Sequence, residues 1–288
     1  MTNQLVIRKA SSSEVQVLFQ RIVEEGWNPG VYDIQAYTDN RNMHFFCGLI
    51  NDEIVSAISV CIYDVDYAFA GCYVVLDPSQ RGKGYGVELA RYLLSYMDEN
   101  GIAVSGLDGV LAQIQNYEQC GYREAYLHRR FQYQISGVEK LEGMVSIAPP
   151  IAEEISIFDS HFVAEPRRSF WQSWLVNDPS KKFASIKNSF GQLTGFACLR
   201  KATDGYRVGP LYAASINDAM KLFDALMSQA KTGENVYIDI PEANCHSDHF
   251  IKQLSLTPMS FECMRMYRGV APQTDLNAVY GVCTLEVG

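Results

Sequence analysis
The sequence predicts an α/β (α+β) protein made of two tandem domains, each a mixed, mostly antiparallel sheet flanked by helices. Three observations carry that expectation. The 288 residues amount to about two domains at ~150 residues each. Short β-rich runs alternate with amphipathic helical stretches, the pattern of a mixed architecture. The order strand, proline turn, helix, strand, helix, strand then occurs twice, as a repeated fold would give. With 48% hydrophobic and 20% charged residues the chain can bury a core, which excludes a disordered protein.

Residues 5–9 read as a strand. The serines at 11–13 cap a helix whose Val15, Leu18, Phe19, Ile22 and Val23 keep helical spacing until Gly26 stops it. A second, short helical stretch follows the loop Trp27-Asn28-Pro29-Gly30. Residues 45–50, 54–63 and 68–76 are strand-like and parted by Asn51-Asp52 and by the turn at 64–66, which predicts an antiparallel meander. After Asp77-Pro78 a helix places Gly86, Leu89, Ala90, Leu93, Leu94 and Met97 on one face, and Asn100-Gly101 ends it. Residues 102–105 read as a strand, 110–120 as a short helix closed by Gly121, and 122–135 as a further strand. The first domain, 1–137, then gives way to a linker at 138–150, marked by Gly143 and Pro149-Pro150.

The second domain, 151–288, repeats the rhythm. Residues 183–187, 195–200 and 206–212 read as strands, and a helix from Asn217 buries Ala219, Leu222, Phe223 and Leu226. A strand at 236–240, a helix at 246–254 and strands at 261–267 and 278–286 close it. Arg167-Arg168 with Phe170, Trp171 and Trp174 reads as a helix anchoring one domain to the other, since two arginines are too few for a nucleic-acid patch.

Charge and cysteine usage narrow the function. Lys and Arg number 24 against 33 Asp and Glu, so the net charge is −9, no basic field exists for nucleic acid, and a cationic small molecule is the expected partner. The eight cysteines are scattered with no C-x-x-C pair, which predicts reduced thiols and a cytoplasmic protein. Residues 1–10 lack the features of a secretory leader, and no apolar run approaches the roughly 18 residues of a membrane span. Nothing in the sequence sets an oligomeric state.

The stretch with the most chemistry is 74–86, a strand that runs through a glycine-rich turn into an amphipathic helix. Glycines let successive N–H groups converge on one point. Such a nest at a helix N-terminus takes a pyrophosphate, with Arg81 and Lys83 adding charge. The spacing is neither that of a P-loop nor that of a dinucleotide fingerprint.

Arg81, Gly84 and Gly86 meet the pattern [QR]-x-x-G-x-[GA], and the turn resembles the signature of the GNAT family of N-acetyltransferases, with Pro78 and the preceding strand in place. Residues 116–122, N-Y-E-Q-C-G-Y, are similar to that family's Y-E-K-x-G-F element. The strings at 25–30, 206–213, 239–244 and 265–269 resemble a tandem subgroup with a degenerate second GNAT-like domain, so the resemblance covers nearly the whole chain. Residues 209–215 stand where a second glycine loop would be and lack the signature, so the second copy is expected to bind no CoA.

The resemblance implies an acetyl-CoA-dependent N-acetyltransferase that moves acetyl to a primary amine of a small cationic acceptor, or to a lysine side chain, by direct attack and without a metal. Arg81, Gly82, Lys83, Gly84, Tyr85 and Gly86 would hold the pyrophosphate, and main chain near Val74 and Leu76 the pantetheine arm. Tyr117 would protonate the departing thiolate, a role a phenol of pKa ~10 can fill for a thiol of ~8.5; a tyrosine packed on the sheet is the competing reading. Members of the family often carry a glutamate on the strand before the loop, but Ala70 stands there, so no base carries over. Among Glu24, Glu25 and Asp33, Glu25 is the first choice for a catalytic carboxylate and Asp33 for lining the acceptor pocket, against the alternative of a solvated carboxylate at a helix end. Trp27 is placed to stack on or wall the acceptor, or simply to pack. Cys245, His246 and His249 lack the second cluster a metal site needs. Cys72 and Cys120 beside the loop raise a covalent acyl-enzyme, against the commoner role of small core residues. The missing base leaves a second class open, a non-catalytic acyl-CoA-binding sensor or scaffold.

Overall fold
Ser11 and Glu14 form a reciprocal capping box, which fixes where strand β1 (Val6–Lys9) ends and helix α1 (Ser12–Glu24) begins. The computed structural model describes residues 4–63, 66–137, 145–163, 165–176 and 178–288. Helix α2 (Asp33–Asp39) follows, and β2 (Met43–Ile50), β3 (Glu53–Ile62) and β4 (Tyr67–Val75) form the expected meander. Asn51 and Asp52, both left-handed with φ of 50° and 66°, make its first turn. Of the second turn, residues 64 and 65 lie outside the described residues, as do 138–144 of the expected linker. Helix α3 (Tyr85–Glu99) lays Leu89, Leu93 and Met97 on the meander, and β5 (Val104–Val110), α4 (Ile114–Gln119) and β6 (Arg123–Gln134) complete the first half.

The second half holds α5 (Ala152–Asp159), α6 (Arg168–Val176), β7 (Lys182–Lys187), β8 (Leu193–Lys201), β9 (Tyr206–Ala213), α7 (Ile216–Met227), β10 (Asn235–Pro241), α8 (Ser247–Gln253), β11 (Thr257–Arg268) and the short β12 (Val279–Gly281). All strands join one mixed sheet in the order β1-β2-β3-β4-β5-β11-β6-β10-β9-β8-β7, with β12 on β9. The last long strand of each half is therefore exchanged: β11 lies antiparallel between β5 and β6, and β6 pairs with β10. Each half would otherwise leave an edge of unpaired N–H and C=O groups, and the other half's strand satisfies it.

Two expectations change. The strand expected at 102–105 runs instead to Val110, because residues 105–110 pair with the distant β11. Of the closing strand expected at 278–286, only Val279–Gly281 is a strand. After Val282 donates its N–H to the Asp239 carbonyl (3.0 Å), the chain leaves β9 and crosses to the first half as a largely buried strap, residues 282–288.

Buried ion pairs tie the halves together. Arg200 on β8 donates to Asp33 of α2 (3.0 Å), and Arg265 on β11 grips Asp108 of β5 with both ends of its fork (2.6 and 2.8 Å). Removing one partner of such a pair leaves an uncompensated buried charge, at about 3–5 kcal/mol. Helix α6 buries Phe170, Trp171 and Trp174, and Trp174 stacks on Tyr37 of α2 at 6.4 Å, so this helix does anchor one half on the other. Beside it the buried Arg167 pairs with Asp159 (2.7 Å) and donates to the Val287 carbonyl (3.1 Å), which fastens the strap.

Candidate active site
Strands β4 and β5 pair in parallel only from Tyr67↔Val104 to Ala70↔Leu107. Beyond that point β5 follows β11 and β4 follows β3, so the sheet opens as a V. A bulge sits at its apex. Ser59 faces Gly71 and Ala57 faces Val74, which sets Cys72 and Tyr73 against Ile58 alone, and Cys72 takes a left-handed φ of 48°. The bulge decides which main-chain groups look into the V. Leu76 N–H is already bonded to the Val55 carbonyl (3.0 Å), and main-chain direction alternates along a strand, so Val74 also faces β3. The edge facing the opening belongs to Tyr73 and Val75, and the Val75 carbonyl accepts from the Arg81 side chain (3.4 Å). Near Val74 and Leu76, where main-chain contacts to the pantetheine arm are expected, the groups free to face the opening are therefore those of Tyr73 and Val75.

The loop follows directly. Asp77 accepts from Ser79 N–H (2.8 Å) and starts a short turn at Pro78–Gln80; Gly82 and Gly84 have φ of 80° and 89°, and Gly84 is the N-cap of α3. A side chain added to either glycine would meet nothing within 4 Å, so the space in front of the helix start is open. Gly86 is the opposite case: a Cβ would lie 2.5 Å from the Tyr73 hydroxyl, so only glycine lets α3 sit this tightly on β4. Lys83 donates to Gln80 (2.8 Å) and remains exposed, Tyr85 is the first residue of the helix, and the first turn carries unpaired N–H groups. Together these groups fit a pyrophosphate.

A cleft enclosing about 850 Å³, its mouth included, runs from the V to the junction of the halves, with Tyr73, Tyr117, Trp27, Phe261, Leu285 and Glu286 among its walls. Tyr117 is seated by Gly109, where a Cβ would lie 2.2 Å from its ring, and packs edge-on to Tyr73 at 6.3 Å. Burial raises the Tyr117 hydroxyl above the ordinary phenol range and pushes Tyr73 up to about 12, so both are proton-bearing donors near neutrality. Burial also pushes the Cys72 thiol up to about 12 and raises Cys120, which leaves both as weak nucleophiles although both line the cleft. Trp27 lines the cleft, and its carbonyl accepts from Arg130 (2.8 Å).

Two expected carboxylates lie elsewhere. Glu25 is outside the cleft lining, held by Arg21 (2.6 Å) and by Arg81 of the loop (2.5 Å), because the end of α1 turns it toward those cations. Asp33 is fully buried, accepting from Gly30 N–H (2.9 Å) and Arg200, and has no surface to offer an acceptor. The carboxylates that do line the cleft, Asp108 and Glu286, drew no notice in the sequence. Asp108 is neutralised by Arg265, which with the nearby His128 holds it down at about 2 despite burial. Glu286 arrives on the strap: a Cβ on Gly71 would lie 2.3 Å from the Glu286 carbonyl oxygen, so the glycine beside the bulge lets the strap pack on β4. Among the described residues no group of three metal-ligating side chains comes together, and no helix is long and apolar enough to cross a membrane.

In the second half β9 and β10 also part, after Val208↔Ile238, but there β12 fills the opening, pairing with β9 at Tyr212 and Leu211.

Two family models match this chain, the acetyltransferase (GNAT) family over residues 13–122 and an acetyltransferase (GNAT) domain over 155–281. The chain belongs to the GNAT family. This tandem GNAT protein is 30% identical to holothin acyltransferase of Pseudoalteromonas sp. (strain SANK 73390), over 98% of its own length and 94% of that relative's. Its fold is shared with a putative acetyltransferase from Pyrococcus horikoshii (TM-score 0.82, 18% identity, 100% of this chain and 97% of that one). A tandem GNAT protein from the clavulanic acid biosynthesis pathway is similar too (TM-score 0.65, 11% identity, 94% and 100%). The protein is a GNAT-type acyltransferase, and that family uses acyl-CoA donors.

Proposed function
We propose that this protein is a cytoplasmic acetyl-CoA-dependent N-acetyltransferase that acts on a primary amine of a small acceptor by direct attack. The observation that carries the reading is the convergence of the glycine loop, the open V and Tyr117 on one cleft. The N–H groups of the loop and of the first turn of α3, with Arg81 and Lys83, bind the pyrophosphate. Main-chain groups of Tyr73 and Val75 hold the pantetheine arm and polarise the acyl carbonyl. Tyr117 gives its hydroxyl proton to the departing thiolate. The chain's net charge of −9 favours an amine that arrives protonated, and Trp27, Phe261 and Leu285 favour one with an apolar body. Holothin acyltransferase, the relative, supports acyl transfer to a specific acceptor. Thiol release from acetyl-CoA, followed across a panel of small amines and lysine peptides, tests the reading. Release with one class of amine is expected, and acetyl-CoA binding without release in any arm would refute it.

A further inference from the structure
The cleft holds the donor-side machinery of the first half, but among the described residues of that half none that lines it offers a free carboxylate. Ala70 lies where the strand before the loop would carry one, Glu25 is turned away, Asp33 is buried, and Asp108 is spent on Arg265. Building on the acyltransferase reading, we propose that Glu286, carried into the cleft by the strap from the second half, is the general base that takes the proton from the acceptor amine.

Position supports this first. The Glu286 main chain rests on Gly71, next to the bulge that opens the V, and Glu286 lines the same cleft as Tyr73 and Tyr117. Its two oxygens are unequal. Oε2 accepts from the Thr284 hydroxyl and from the Tyr37 hydroxyl (3.4 Å), whereas Oε1 takes no side-chain hydrogen bond among the described residues. One oxygen orients the group and the other keeps a lone pair for the substrate, which is the arrangement a base needs.

The charges around it are balanced. Arg207 of β9, Arg200 of β8, Arg130 of β6 and Asp33 of α2 act on Glu286, and Asp239 of β10 pairs with Arg130 and Arg207, so three cations meet three carboxylates with Glu286 counted. Cys72 of β4, Cys263 of β11 and Tyr37 of α2 are the other titratable groups near it, and burial raises all three so that they stay protonated. Burial and Asp33 lift Glu286 above the ordinary carboxylate range while Arg207 and Arg200 pull it down, and the lift prevails. A carboxylate so placed holds a proton more firmly than an exposed one, so it is the stronger base.

The step balances. An acceptor that arrives as an ammonium first gives a proton to Glu286. Glu286 releases that proton to solvent, the free amine nitrogen bonds to the acyl carbon, the second nitrogen proton passes to Glu286, the carbon–sulfur bond breaks and Tyr117 protonates the thiolate; solvent then carries the proton from Glu286 back to the Tyr117 phenolate, so one proton is released per turnover. The products are an amide and a free thiol.

The test uses the full-length enzyme with an amine it turns over, comparing wild type, Glu286→Gln and Glu286→Asp. The glutamine variant should lose roughly 10²- to 10⁴-fold in kcat and bind acetyl-CoA by calorimetry within about threefold of wild type. In wild type, kcat/KM should fall on the acid side with a limb above the ~4.3 of an ordinary glutamate, and that limb should vanish in Glu286→Gln. Glu286→Asp should be intermediate in kcat and keep the limb, which separates loss of a base from loss of the fold. A glutamine variant with near-normal kcat, or one that keeps the limb, overturns the assignment and leaves the acyltransferase reading standing. A wild type that turns over no amine takes both down.

Discussion
Tyr117→Phe removes one hydroxyl and leaves the ring that packs between Gly109 and Tyr73. If that hydroxyl is the acid, kcat should drop about ten- to a thousand-fold in steady-state assays while acetyl-CoA affinity hardly moves, water serving as a poorer donor. A fall in affinity with unchanged kcat would make Tyr117 a packing residue. Glu25→Gln should behave differently, because Glu25 touches Arg81 and Arg21 but not the cleft: kcat should stay within about threefold, and any change should appear in the KM for acetyl-CoA. Tyr117 was legible in the sequence because its string of neighbours is local. Glu286 was not, because its meaning comes from Gly71, and nothing between them in the chain announces the contact.

Helices α1 and α3 and the meander were legible as elements because their apolar spacing, caps and turns are local. The length of β5 and the strap were not, since one is set by pairing with β11 and the other has no period. At the loop, two kinds of glycine predict two kinds of failure. Gly84→Ala meets no atom but must hold φ of 89°, a strain of roughly 1–2 kcal/mol that should raise the acetyl-CoA KM more than it lowers stability. Gly71→Ala meets the Glu286 carbonyl at 2.3 Å and must push the strap off β4. It should cost about 1–3 kcal/mol in urea unfolding and lower kcat with it. A Gly71→Ala enzyme of normal stability and rate would show that the strap is not seated as described.

Over the whole molecule, the filled opening between β9 and β10 predicts one acetyl-CoA per chain by calorimetry, and two equivalent sites would contradict it. Acid should unfold the protein steeply. The folded Asp108 carboxyl lies at about 2 against ~3.9 for an unfolded aspartate, and Asp239 is lowered further, so their stabilisation is complete above the unfolded value and disappears as pH falls through the folded one. Urea midpoints should drop between about pH 4 and 2, and Asp108→Asn should flatten that drop. Two halves were visible as a repeated order of elements, but their exchange of strands was not, since either partner would satisfy the same alternating pattern. That exchange has a consequence for synthesis. As the chain leaves the ribosome, β5 emerges long before β11 and must wait with an open edge. The first half, with its glycine loop, thus stays incomplete until β11 has been made, and a chain halted between the two strands lacks the Phe261 and Cys263 wall of the cleft.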